Sequence, residues 1–207
     1  MILIVDYGLG NLYSVAKAFE ALGASVQISS DPKDVEAAER IVLPGVGAFG
    51  DGMKYLAERK LHDALRRAVM EEAKPFLGIC LGMQLLADIG TESGEKKGLG
   101  WIRGSVRKLP VAPLGLKVPH IGWNDITIAK PHPLWEGIKN GTDFYFLHSY
   151  SLVCDDKETI AATSEYGVTF AAAVQKGPIF AVQFHPEKSQ ENGLKLLENF
   201  MSWKPSW

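Results

Sequence analysis

The sequence predicts an α/β fold: an open, mostly parallel sheet flanked by helices, with an additional antiparallel, strand-rich region in the second half. Two observations carry this. The first third of the chain alternates short apolar runs rich in β-branched residues with segments of helical period, and parallel neighbours of that kind need helical crossovers. From Gly98 to about Gln183 the pattern changes to successive extended segments broken by Gly, Pro and Asn/Asp turns.

The elements follow in order. Ile2 to Val5 reads as a buried strand. From Asn11 to Leu22 the apolar residues Leu12, Val15, Ala16, Phe19 and Leu22 keep a helical period, closed by Gly23. Val26 to Ile28 is a second strand, Asp31-Pro32 caps a short helix, and Ile41 to Leu43 is a third strand. Met53 to Glu72 holds a long amphipathic helix or a pair of helices, and Phe76 to Ile79 is the fourth strand. After a helix-like stretch from Leu81 to Leu86, extended segments dominate, with a brief helix near Leu134 to Ile138. Leu194 to Phe200, with Ser189 as its cap, closes the chain as an amphipathic helix. The expected arrangement is flavodoxin-like, and with no repeat, low-complexity tract or linker it forms one domain over 1–207.

The chain has 207 residues, enough to bury about 70% of the unfolded surface without disulfides or metals. Hydrophobic residues make up 46% and charged residues 22%, with a formal net charge of -2, which is ordinary for a soluble enzyme. A Lys/Arg-rich block is missing, so neither nucleic acid nor an anionic membrane is expected as partner. The apolar run after Met1 is too short for a signal peptide or a membrane span, which points to the cytoplasm. Cys80 and Cys154 are the only thiols, too few for a disulfide framework.

Cys80 stands where the buried run Phe76-Leu77-Gly78-Ile79 meets the helix-like Leu81 to Leu86. Gly78 and Gly82 flank it two residues away on each side, the spacing of a nucleophile elbow, where small neighbours permit a sharp turn that exposes the side chain. A thiol at a helix N-terminus is favoured as thiolate, the reactive form. Free cysteine is also among the most buried residue types, so a packing role stands beside the chemical one. Cys154 has no such glycines and is assigned no role.

Ala181-Val182-Gln183-Phe184 reads as a late strand running into His185-Pro186-Glu187. Pro186 keeps His185 extended, and residues two apart on extended chain share a side, so Glu187 can orient the imidazole as a base. Leu81 N–H, just after the nucleophile, is an oxyanion donor, and Pro44-Gly45-Val46-Gly47 offers a second. The remaining histidines have no metal-binding spacing. A dinucleotide fingerprint starting at Gly8 and Gly10 would need its third glycine at Tyr13, so neither metal nor cofactor is expected.

Gly78-Ile79-Cys80-Leu81-Gly82-Met83-Gln84 together with Phe184-His185-Pro186-Glu187 resembles the class I, or triad, glutamine amidotransferases across the whole chain. Pro44 to Gly50, Pro119 to Asn124, Phe146 to Tyr150 and His185 to Ser189 are similar, more narrowly, to the glutaminase subunits of imidazole glycerol phosphate synthases, which serve histidine biosynthesis. The resemblance implies Cys80 as nucleophile, His185 as base and Glu187 as its partner, Val46 and Leu81 as oxyanion donors, and Gln84, His148, Ser149 and Tyr150 around L-glutamine. It further implies a cyclase subunit of TIM-barrel fold that receives the ammonia, with Asn11, Trp123, Tyr145 and Lys188 facing it. Two alternatives stay open: a glutaminase serving another synthase, and a non-catalytic α/β subunit whose elbow cysteine senses redox state.

Overall fold

The computed structural model describes residues 1–205. The chain begins β1 (Ile2–Val5), α1 (Leu12–Ala21), β2 (Val26–Ser29), α2 (Pro32–Ala37), β3 (Arg40–Gly45), α3 (Phe49–Glu58), α4 (Leu61–Arg66) and β4 (Phe76–Cys80). It continues through α5 (Leu81–Gln84), β5 (Ala87–Gly90), β6 (Lys96–Lys97), β7 (Ile102–Lys108), β8 (His120–Ile128), β9 (Thr142–His148) and β10 (Tyr150–Cys154). β11 (Ile160–Glu165), β12 (Thr169–Lys176), β13 (Ile179–Val182) and α6 (Gln190–Ser202) complete it.

A 9-stranded sheet runs β2-β1-β3-β4-β13-β12-β11-β8-β9, and a 4-stranded sheet runs β10-β7-β5-β6. From β2 to β13 the large sheet is parallel, in the flavodoxin-like order; beyond β13 it is antiparallel. The parallel strands are continuous apolar runs because both faces are covered. Side chains alternate between the two: Ile2 and Ile4 join Val15, Phe19 and Phe200 on the α1/α6 side, while Leu3 and Val5 join Leu56, Leu65 and Val69 on the α3/α4 side.

Helix boundaries follow local chemistry. Asp31 caps α2 by accepting from Lys33 N at 2.9 Å, and Gly23, at φ 81, ends α1. The segment Met53 to Glu72 is a pair of helices, because Lys60 takes a left-handed turn (φ 57) between α3 and α4; a π-helical turn, Arg67–Glu71, prolongs the second. The brief helix in the second half is a 3-10 turn, Pro133–Trp135.

Two expectations are corrected. The helix expected over Leu81 to Leu86 stops after one turn, because the Leu86 carbonyl accepts from Trp101 N and Ile102 N, and the Leu85 carbonyl from Leu99 N. The chain then goes straight into β5. Ser189 sits at the N-cap of α6 without capping it; its hydroxyl donates to His185 O at 2.7 Å and accepts from Tyr145 N at 3.0 Å. That hydroxyl ties the turn after β13 to β9 instead.

What matters for the site is the order β3-β4-β13. Gly45 pairs with Cys80, and Val182 with Ile79, so the C-terminal ends of strands far apart in sequence lie side by side. The crevice beyond such strand ends is where open α/β sheets place their sites.

Candidate active site

Cys80 ends β4 at φ 53, ψ −106, a conformation that costs a non-glycine residue about 1–3 kcal/mol. Packing enforces it. A Cβ on Gly82 would lie 1.8 Å from the Leu43 carbonyl oxygen, and one on Gly78 would lie 2.9 Å from the Gly82 carbonyl oxygen, so these two glycines let α5 turn back against β3 and β4. The elbow expected from the sequence is therefore present. The helix behind it is a single turn of four residues, too short for the dipole contribution expected of a longer one.

The sulfur, 6% exposed, lies on the wall of a cavity of about 250 Å³. Val46, Gly47, Leu81, Gln84, His148, Ser149 and Tyr150 line it as well. All of the residues expected around the oxyanion and the glutamine thus line one chamber. Gln84 Nε2 donates to Tyr150 O at 2.9 Å and to Gln183 Oε1 at 3.1 Å, which leaves the Gln84 carbonyl oxygen as its free group.

His185 Nδ1 meets Glu187 Oε1 at 2.8 Å, with both side chains 2% exposed. The pairing is as expected, but its cause differs: Pro186–Lys188 is a 3-10 turn, and that turn, rather than extended chain, swings the carboxylate under the ring. His185 Nε2 is buried with no hydrogen-bond partner. The sulfur's own hydrogen-bond neighbours are Leu147 O at 3.8 Å and Gln183 Nε2 at 3.6 Å. Cys80 and His185 are thus adjacent without forming an ordinary hydrogen bond.

Electrostatics couples them all the same. Burial opposes a charged imidazole, but the negative charge and acceptor capacity of Cys80 and Glu187 outweigh it, and the His185 pKa is pushed up to about 10. His148, by contrast, is pushed down to about 4, chiefly by burial and further by His120 and His185, against a raising hydrogen bond to Tyr150 O. At neutral pH His185 is therefore protonated, whereas His148 on the chamber wall is neutral.

The expected partner-facing residues divide. Trp123 packs edge-on against Tyr145 at 6.2 Å between centroids, and Lys188 Nζ stands 5.8 Å from the Tyr145 ring centroid. Trp123 is 47% exposed, so it is not a core aromatic. Asn11 is exposed just before α1, and its side chain makes no cap hydrogen bond there.

Three residues escaped the sequence reading. Glu92 is the only Asp, Glu, Lys or Arg among the residues lining the chamber, and its Oε2 accepts from Phe49 N at 3.0 Å; it lies in a turn with no motif to connect it to Cys80. Tyr7 is fully buried with its hydroxyl unpartnered, and a Cβ on Gly45 would fall 1.9 Å from that oxygen. Burial first, and the charge of Cys80 second, hold its phenol neutral. Gln183, fully buried, reaches the sulfur. Its position two before His185 on extended chain was the available signal.

A family model described as glutamine amidotransferase class-I matches residues 3–203. The chain is 52% identical over 200 residues to a protein of Campylobacter jejuni named imidazole glycerol phosphate synthase subunit HisH 1, covering 97% of this chain and 98% of that one. It is 50% identical to the subunit HisH of Methylococcus capsulatus (99% and 97% covered) and 49% identical to that of Aquifex aeolicus (96% and 94% covered). Among solved structures, PurLQS from Thermotoga maritima matches with TM-score 0.76 at 20% identity, covering 97% of this chain and 96% of that chain. A crystal structure of a glutamine amidotransferase matches with TM-score 0.74 at 20% identity, covering 97% and 100%. At that identity the structures speak for the fold.

Proposed function

The chain belongs to the class-I glutamine amidotransferases, and from that premise we propose that it is the glutaminase subunit of an imidazole glycerol phosphate synthase, acting as one domain over 1–207. The observation that carries the chemistry is the Cys80 sulfur on the chamber wall beside the unpartnered Nε2 of a His185 pinned by Glu187.

In this reading L-glutamine enters with its carboxamide toward Cys80. The Glu92 carboxylate suits the α-ammonium, and the free oxygen of Gln84 accepts a substrate N–H. The Cys80 sulfur attacks the carboxamide carbon while Leu81 N–H and Val46 N–H receive the oxyanion. His185, protonated through its raised pKa, delivers a proton to the departing ammonia. The now neutral imidazole then takes a proton from water, which hydrolyses the γ-glutamyl thioester to glutamate and frees the sulfur.

The ammonia goes to a cyclase subunit of TIM-barrel fold. The exposed Trp123, with Tyr145 and Lys188 beside it, is the surface suited to that partner, with Asn11 at its edge. Histidine biosynthesis and a cytoplasmic location go with the reading. Both thiols are free, which suits a reducing compartment, and no helix among the described residues is long and apolar enough to cross a membrane.

Glutamate release measured with and without the cyclase tests both parts. We expect turnover that rises when the cyclase and its nucleotide substrate are added, and a loss on the order of 10⁴-fold in Cys80→Ser. Stimulation only by a different synthase overturns the partner, and normal turnover by Cys80→Ser overturns the nucleophile.

A further inference from the structure

Resting on that reading, we propose that Gln183 is a further member of the catalytic machinery: its side-chain amide N–H donates to the Cys80 sulfur and holds it as the attacking group. Gln183 Nε2 lies 3.6 Å from Sγ, on a side chain that is fully buried.

Which end of that amide faces the sulfur is decided by the bonds behind it. The Tyr150 carbonyl can only accept, so Gln84 must present its NH₂ there. The same NH₂ donates to Gln183 Oε1, which leaves the Gln183 NH₂ toward Cys80. Flipping Gln183 would set donor against donor at Gln84. Flipping both would set the Gln84 oxygen against the Tyr150 oxygen. The direction is therefore built into the fold.

The anchor itself is secured from the other side. His148 Nδ1 also donates to Tyr150 O, at 2.9 Å. His148 Nε2 must then accept from His120 Nδ1, at 3.1 Å, and His120 Nε2 accepts from Asn124 at 3.3 Å. Donation from Asn124 through His120 and His148 and donation from Gln84 thus converge on the Tyr150 carbonyl, and the second N–H of Gln84 continues through Gln183 to the Cys80 sulfur.

The chemistry favours a donor here. A sulfur anion accepts a hydrogen bond more strongly than the thioester sulfur that replaces it, so an N–H at this position holds and orients the nucleophile before attack, and part of that bond is given up as the thioester forms. The other titratable groups near the sulfur are His185 and Tyr7, with Glu92 and His148 lining the same chamber. Tyr7 is neutral and unpartnered, and His185 is engaged by Glu187 at its far nitrogen. Gln183 is the side-chain donor with hydrogen-bond geometry to Sγ.

Gln183→Met keeps the bulk and removes the donor. Gln183→Glu keeps the bond from Gln84 and puts an acceptor against the sulfur. A donor role predicts that alkylation of Cys80 by iodoacetamide at neutral pH, followed by mass spectrometry of its peptide in the full chain, falls about tenfold in Gln183→Met. It falls further in Gln183→Glu, and kcat for glutamine drops with KM little changed. A purely structural role predicts the reverse order, since Glu restores the Gln84 contact and Met does not; that order overturns the proposal. Should either variant fail to fold, the unaltered chain still decides. The Gln183 side-chain amide resonances should move when Cys80 is alkylated, and stationary resonances overturn the donor role. A native Cys80 that alkylates no faster than Cys154 overturns the glutaminase reading itself, and with it this one.

Discussion

The proposed nucleophile and the proposed base are held by different means. Cys80 owes its place to backbone sterics: a left-handed φ of 53 and two glycines wedged against neighbouring carbonyls. His185 owes its place to side chains and charge: a buried carboxylate at 2.8 Å and a pKa pushed up to about 10. The first constraint is indifferent to pH, while the second exists only while the groups carry the right protons. A site assembled in this way fixes where attack begins by geometry and leaves the proton transfers adjustable.

Substitutions on the two sides should therefore fail differently. Of the substitutions that leave Cys80 itself in place, the largest expected effect is on the base side: His185→Gln lowers glutamate release by about 10²–10⁴-fold in a coupled assay while the elbow stays intact. A variant within tenfold of the native rate would mean that the elbow alone suffices. On the nucleophile side, Gly82→Ala drives a methyl into the Leu43 carbonyl, a backbone atom that cannot swing away. It should cost about 3 kcal/mol, read as a lowered urea midpoint, and an unchanged midpoint would show that the elbow is soft.

The pH dependence of stability separates the halves next. His185, with a folded-state pKa of about 10 against an ordinary 6.5, contributes stability that is complete below pH 6.5 and lost as pH rises through 10. His148, depressed to about 4, contributes stability that is present above pH 6.5 and lost as pH falls through 4. Melting temperatures across that range should show both limbs, and His185→Gln should erase the alkaline one alone. The smallest effect belongs to Tyr7→Phe. Its hydroxyl is buried without a partner, so its removal should change unfolding free energy by no more than about 1 kcal/mol, toward greater stability.

The parallel half of the fold was legible because runs such as Ile2 to Val5 are buried on both faces and can pack in few other ways. The end of α5 was not, since what stops it is a segment more than a dozen residues later that takes the Leu85 and Leu86 carbonyls. In the site, the glycine spacing around Cys80 signalled its elbow directly. The contact between His185 and Glu187 was expected from strand alternation and arises from a 3-10 turn, an outcome that spacing alone cannot separate. Glu92 reaches the chamber only through tertiary packing, and nothing local marks it.

The β8–β9 hairpin pairs His120 with His148 and Trp123 with Tyr145, and along β8 buried or half-buried residues alternate with exposed ones. A slip of one residue would turn the indole inward and the imidazole outward together. Misaligned copies would lose the exposed Trp123–Tyr145 face and the buried His120–His148 pair in a single stroke, so one strand register secures both.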